Sequence, residues 1–293
     1  MGSEKIAIIG SYGSGKTVLL TVLTHLYQKQ SPEGYQILPN NLEAITFCQK
    51  NWKALQEGQW PPPTCPQENP PIYSWKLRFG TKEKDIITSD IAGEAWRSFI
   101  ENNISGLPAT NSEMSLRARL EAIPKSFSQN KSINNHLLTI ETLLKNASRI
   151  YFVLDLSQIV DKEIGYEKAE ILPCCLQRYM ETIHKTKVPI ILVLSKIDKY
   201  KYLFETTHDW RVILENYIPY LPQHVNIIPI AAVAKTKTKN GVQIPAPDFP
   251  SEGIDKLYES FWDTKINSKA IPQWVVLMTH ALVKHSIRFF LGG

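Results

Sequence analysis

Short apolar runs separated by longer polar stretches punctuate this chain. Ile6-Ala7-Ile8-Ile9 is the first, and a run so brief reads as a buried strand. Behind it, Val18–Tyr27 carries apolar residues at 19, 22, 23 and 26, the spacing of a helix with one apolar face. Ile72–Phe79 alternates apolar and polar positions as a half-buried strand does; Gly80–Lys84 makes a turn and Asp85–Ser89 the next strand. Arg149–Leu156, Pro189–Leu194 and Val225–Ala232 are almost continuously apolar, which predicts strands covered on both faces in a parallel sheet. Helical segments fall between and after them, at Ile133–Leu144, Tyr166–Lys185, Trp210–Leu221 and Ile254–Trp262. Alternating strands and helices predict an α/β fold, a mainly parallel, doubly wound sheet flanked by helices.

Three stretches stand outside that rhythm. Ser31–Pro71, rich in Pro, Asn and Gln, reads as a loop with a short helix at Leu42–Leu55, and Trp60-Pro61-Pro62-Pro63-Thr64-Cys65-Pro66 fits neither a central strand nor a helix interior. Ala95–Asn146 reads as a long insertion whose last part is the Ile133–Leu144 helix, and Lys235–Pro250 as an exposed loop. The expected organisation is a core over 1–262, with the insertion at about 95–146, and a helical tail over 263–293.

Chemistry enters at the end of the first strand. Gly10-Ser11-Tyr12-Gly13-Ser14-Gly15-Lys16-Thr17 fits GxxxxGK[ST] between a strand and a helix, the context a phosphate-binding loop needs. Gly10, Gly13 and Gly15 let backbone N–H groups, with those of Ser14 and Val18, close on phosphate oxygens at a helix N-terminus. Lys16 reaches the β- and γ-phosphates and the Thr17 hydroxyl ligates Mg²⁺. Asp85–Ser89 leads into Asp90-Ile91-Ala92-Gly93-Glu94, where Asp90 can hold Mg²⁺ through water and Gly93 can turn its N–H to the γ-phosphate. Thr64, with Thr46 second, is the candidate to complete the Mg²⁺ shell; an ordinary turn residue is the competing reading. Pro189–Leu194 leads into Ser195-Lys196-Ile197-Asp198, and there the base is selected. A carboxylate at Asp198 accepts from guanine N1–H and the exocyclic amine, a donor pair adenine lacks, while the Lys196 stem lies along the base. Ala231 and Ala232, ending the Val225–Ala232 run, can offer backbone N–H groups to the guanine oxygen.

Composition changes this picture little. The 293 residues suit one elaborated α/β domain, and 43% apolar with 21% charged residues is ordinary for a globular chain. A net charge of +5 without a basic stripe does not call for nucleic acid. Four cysteines, Cys48, Cys65, Cys174 and Cys175, show neither zinc spacing nor a disulfide framework, which fits a reducing, cytoplasmic setting. No charged-then-apolar leader precedes the first strand, and no apolar run reaches the roughly 18 residues of a spanning helix.

Taken in order, GSYGSGKT, DIAGE, LSKID and PIAA make residues 5–262 resemble the phosphate-loop GTPases related to translation factors and small regulatory GTPases. DIAGE, the WPPPT segment and the insertion also resemble, more faintly, the bacterial double-GTPase type associated with conflict and antiviral systems. The resemblance implies a GTP- and GDP-binding, Mg²⁺-dependent hydrolase that works as a switch for a protein effector or assembly. Its catalytic set would be Lys16, Gly93, Glu94 and Thr64, its metal set Thr17, Asp90 and Thr64, and Ser195, Lys196, Asp198, Ala231 and Ala232 would hold guanine.

Three positions depart from the family pattern. Ser195 replaces Asn or Thr, which weakens the expected tie between base and phosphate loops. Glu94 replaces a water-positioning Gln and, being anionic beside a triphosphate, predicts slow or partner-activated hydrolysis. Ala231 replaces Ser, which a backbone contact tolerates. Arg97 is a candidate internal cation for the transition state. The alternative function is a structural subunit that holds GTP with little hydrolysis; an ATP-dependent enzyme is disfavoured by Asp198. In the tail, residues 271–291 set His280, Lys284 and Arg288 on one helical stripe and Trp274, Val275, Met278, Leu282 and Phe289 on another face. Such a helix suits an anionic membrane surface, a partner's groove or its own core.

Overall fold

The structure is a computed structural model, and it describes residues 4–10, 13–29, 31–62, 69–89, 131–160, 188–204, 209–215, 225–246 and 248–263. Its centre is a seven-stranded sheet in the order β2-β3-β4-β1-β5-β6-β7, formed by β1 (Glu4–Gly10), β2 (Tyr35–Pro39), β3 (Ile72–Phe79), β4 (Lys82–Ser89), β5 (Arg149–Asp155), β6 (Ile190–Ser195) and β7 (Asn226–Pro229). Strands β4, β1, β5, β6 and β7 run parallel, and β3 and β2 add antiparallel pairs at one edge.

Helices cover both faces because the central strands bury both sets of side chains. Ala7 and Ile9, Ile150, Phe152 and Leu154, and Leu192 and Leu194 point to one core, with α3 (Lys131–Asn146) and α5 (Trp210–Glu215) packed on it through Ile140, Leu144 and Leu214. The alternate residues Ile6 and Ile8, Tyr151 and Val153, and Ile191 and Val193 meet α1 (Lys16–Tyr27), α2 (Leu42–Gln56) and α6 (Ile254–Ser260). A short α4 (Leu156–Val160) continues β5 directly. Among the described residues no helix is long and apolar enough to cross a membrane.

The edge opposite β7 is richer than the sequence pattern indicated. Tyr35–Pro39, read as loop, is an edge strand, and the helix after it spans 15 residues. Asn41 caps that helix: its Oδ1 accepts from the amides of Ala44 (3.1 Å) and Ser74 (3.2 Å), and its Nδ2 donates to the Ile72 carbonyl (2.8 Å). The Tyr258 hydroxyl of α6 stitches the same edge. It donates to the Gln36 carbonyl (2.5 Å), accepts from the Gln36 amide (3.0 Å) and lies 3.1 Å from the Arg78 carbonyl.

Lys235–Pro250 is likewise more than a loop. It holds a hairpin of β8 (Thr236–Lys239) and β9 (Val242–Pro245), closed by Asn240 and Gly241 at φ 52° and 77°. Two consecutive positive φ values make the mirror-image turn whose twist suits a two-residue hairpin. The α3 helix, read as the end of an insertion, is a core element between β4 and β5, with Ile140 and Leu144 fully buried. Tyr166–Lys185 and the tail from 264 lie outside the described residues, as does the whole 95–130 stretch.

Candidate nucleotide-binding site

The described residues assigned to the nucleotide lie at the C-terminal ends of β1, β6 and β7 and in the loops that follow them. In an open α/β sheet that edge is where ligands bind, at the strand where successive connections depart to opposite sides. Here that strand is β1: the chain goes from it towards β4 and later crosses over to β5 on its other flank.

The loop after β1 is shaped by glycine at two kinds of position. Gly13 and Gly15 adopt φ of 70° and 79°, backbone states that side chains resist, and Gly15 opens α1. Gly10 is required for space: a Cβ there would stand 2.6 Å from the Val153 carbonyl oxygen and 2.7 Å from Ser14 Oγ. The first turn of α1 contains no acidic residue to offset the positive end of the helix that Lys16 and Thr17 begin. Thr17 spends its carbonyl on the Thr21 hydroxyl (2.8 Å). Ser11 and Tyr12 lie outside the described residues.

Two contacts join this loop to the one after β6. The Ser195 hydroxyl donates to the Ser14 carbonyl at 2.6 Å and lies 3.2 Å from the Leu154 carbonyl; its one proton serves the shorter contact. The weakened tie expected from Ser in place of Asn or Thr is thus made directly, because buried Ser195 stands beside the loop: a Cβ on Gly15 would be 3.9 Å from its hydroxyl. Lys196 makes the second contact. Its ammonium donates to the Gly13 carbonyl (3.0 Å) and pairs with Asp155. The Lys196 backbone is left-handed at φ 61°, a costly state for a side-chain-bearing residue.

Asp198 is the second residue of the 3₁₀ stretch Ile197–Phe204 and is half-buried. Burial pushes its carboxyl above the usual range, with the Glu252 charge adding to the shift, against its own backbone amide and Lys199, which pull the other way. The loop after β7 is pinned to β6 by Ile230 N–H to Leu194 (2.7 Å) and Ile197 N–H to Ile230 (3.3 Å). Ala231 exchanges both backbone bonds with Glu252, at 3.0 and 2.8 Å, so its amide, assigned to the guanine oxygen, is engaged within the protein. Ala232 is the other residue assigned to that contact. Val18 and Ala232 pack with Val22, Leu55 and Val233 beside Trp52 and Phe249, which joins α2 to α1 and to the loop after β7.

The structure therefore brings together Gly10, Gly13, Ser14, Gly15, Lys16, Thr17, Val18, Ser195, Lys196, Asp198, Ala231 and Ala232. Thr64, Asp90, Gly93 and Glu94, with Arg97, lie outside the described residues. Three contributors escaped the sequence reading. Asp155 looked like one more strand residue, although a carboxylate ending a seven-residue buried run was a signal. Trp52 and Phe249 gave no signal, since their approach to Val18 depends on how α2 crosses α1.

Beyond the added edge strand, the order β3-β4-β1-β5-β6-β7 has one reversed strand, a phosphate loop after β1 and a base loop after β6. This is the fold of the phosphate-loop GTPases. No family model matches the chain, and no curated protein does. Among solved structures it is similar to Roco2 RocCORdC of Methanosarcina barkeri bound to GDP, at 11% identity over 89% of this chain and 48% of that one, with a TM-score of 0.36. It is similar to translation elongation factor SelB of Methanococcus maripaludis with the GTP analogue GppNHp, at 16% identity over 92% of this chain and 36% of that one, TM-score 0.36. A GDP·AlF4⁻-bound Era variant of Aquifex aeolicus gives 16% identity over 79% of this chain and 52% of that one, TM-score 0.34. The chain spans about half or less of the length of these three. Strand order and loop placement define this fold.

Proposed function

We propose that this protein binds GTP and GDP with Mg²⁺ and hydrolyses GTP slowly or when a partner assists, changing state with the nucleotide it holds. The observation that carries the reading is the pair of bonds from Ser195 and Lys196 to the carbonyls of Ser14 and Gly13, which join a base-reading loop to a phosphate-binding loop. In that frame the α1 N-terminus and Lys16 hold the phosphates, Asp198 reads the guanine edge and Ala232 offers its amide to the guanine oxygen. Thr17, at the second residue of α1, suits Mg²⁺ as a neutral oxygen donor, with Asp90 and Thr64 as its companions by sequence position. The metal, when bound, neutralises charge that develops on the phosphates. Gly93 is assigned to the γ-phosphate, and Glu94 or a partner to the attacking water.

Glu94, an anion in the water-positioning place, favours a second reading in which GTP is held as a structural ligand. The deciding experiment is turnover of purified protein with Mg²⁺ and either GTP or ATP, alongside the nucleotide released on denaturation. Repeated turnover of GTP supports the hydrolase, and retained, uncleaved GTP supports the structural ligand. Preference for ATP, or binding that survives Lys16→Ala, refutes both.

A further inference from the structure

The carboxylate of Asp155 occupies an unusual place for a charge. It ends β5, is 3% exposed, and faces the base loop across the β5–β6 pairing, where its register partner is Ser195. A buried carboxylate persists only where its oxygens are matched. One oxygen accepts the Ser157 amide at 2.9 Å and the other pairs with Lys196. Lys196 is then held at three points: a left-handed backbone, Asp155, and the Gly13 carbonyl at 3.0 Å. A free lysine carries large rotamer entropy, and its ammonium is a strongly hydrated point charge that takes many positions. Asp155 removes that freedom before any nucleotide arrives.

We propose that Asp155 is a positioning residue of the nucleotide site: it aims Lys196 so that the stem lies along the base and the ammonium clamps Gly13 of the phosphate loop. The inference rests on the reading of Ser195–Asp198 as a guanine site and adds to it the residue that preorganises that site. Asp155 touches no nucleotide in this scheme. Its whole effect on binding passes through Lys196, and that separates it from a residue that merely supports the fold.

The test is a double-mutant cycle on the full chain with a fluorescent GDP analogue. Asp155→Asn keeps the shape and an acceptor for the Ser157 amide while removing the charge. Lys196→Met keeps the stem and removes the ammonium. Asp155→Asn is expected to weaken GDP about tenfold in the wild-type background, the loss of one oriented charge-assisted contact, and by less than twofold when Lys196→Met is already present. Melting temperatures measured alongside report folding separately, and Asp155→Ser, which keeps a small polar group under Ser157, reads the same cycle if the asparagine variant is poorly folded. Equal losses in both backgrounds, or a loss under twofold in the wild type, overturn the positioning role while leaving the guanine site intact. A wild-type protein that does not bind the GDP analogue overturns the nucleotide reading and this inference with it.

Discussion

Ser195→Ala isolates the tie between the two loops. The hydroxyl it removes is buried and makes a 2.6 Å bond to the Ser14 carbonyl, with the Leu154 carbonyl 3.2 Å away. Alanine leaves a space near the size of one oxygen atom, too small for water to restore the lost donor at full strength. Losing the bond costs about 1 kcal/mol net, and leaving the carbonyl unsatisfied raises this to about 1–3 kcal/mol. Because the bond exists before nucleotide binds, the loss appears first in the stability of the ligand-free protein. If the tie also preorganises the site, GDP affinity falls as well, by up to about 5- to 150-fold for the same energy. Chemical denaturation without nucleotide and a GDP titration read the two separately. A stability change below about 0.5 kcal/mol with GDP affinity within twofold would refute the reasoning, since surface-like substitutions give no more.

The Asp198 carboxyl titrates above its usual value because burial disfavours the charge, and guanine requires the charged form. GDP affinity is therefore full above the raised pKa and falls about tenfold per pH unit below it, with Asp198→Asn abolishing this dependence along with the guanine preference. The same raised value means that between pH 3.8 and the raised pKa the native state binds more protons than the unfolded one, so stability falls through that window, the ionised Asp198 lowers stability at neutral pH, and Asp198→Asn leaves the melting temperature of the ligand-free protein unchanged or higher. Gly10→Ala forces a Cβ to 2.6 Å from the Val153 carbonyl oxygen and should cost about 1–3 kcal/mol by overpacking, with loss of GDP binding in the same titration. Tyr258→Phe strands the Gln36 amide and carbonyl, both bonded to the hydroxyl, and should cost about 2–4 kcal/mol in denaturation with GDP affinity unchanged. Burial holds that hydroxyl at about 12, so the stitch stays protonated through the neutral range.

The central strands and the phosphate loop were legible because both are local. Residues 149–155 and 190–195 are buried on both faces, so their central stretches 150–154 and 190–194 are apolar throughout, and glycine at 10, 13 and 15 is dictated by the loop's own backbone and its nearest strand. Strand β2 was not legible: Tyr35-Gln36-Ile37-Leu38-Pro39 is a five-residue edge piece whose one fully buried side chain is Ile37, and its backbone is held by Tyr258 from the far end of the chain. The hairpin, by contrast, carried a local signal in Asn240-Gly241. Threonine and lysine alternating ahead of it gave no apolar face to confirm a strand, since Thr236 and Thr238 satisfy Gln243 rather than a core.

That hairpin explains why the departure at Ser31–Pro71 belongs to the site and not to the periphery. The α2 helix ends at Gly58 in the left-handed conformation, and a Cβ there would meet the Pro245 carbonyl at 3.4 Å. Two residues on, the Trp60 indole donates to the Gln243 carbonyl at 2.8 Å. The chain thus leaves α2 against β9, while on the helix itself Trp52 stacks on His25 of α1 with ring centres 3.5 Å apart. Phe249, beyond the hairpin, closes on Trp52 from the other side. The same few residues join α1, which opens at Lys16, the loop of Ala232, and the segment that follows α2. No spacing in the sequence encodes this, because each contact pairs positions far apart in the chain and none of the side chains involved has a chemistry that announces its partner. A local reading can therefore place the loops that touch phosphate and base, but the frame that holds them in register becomes visible only once α2 has been laid across α1.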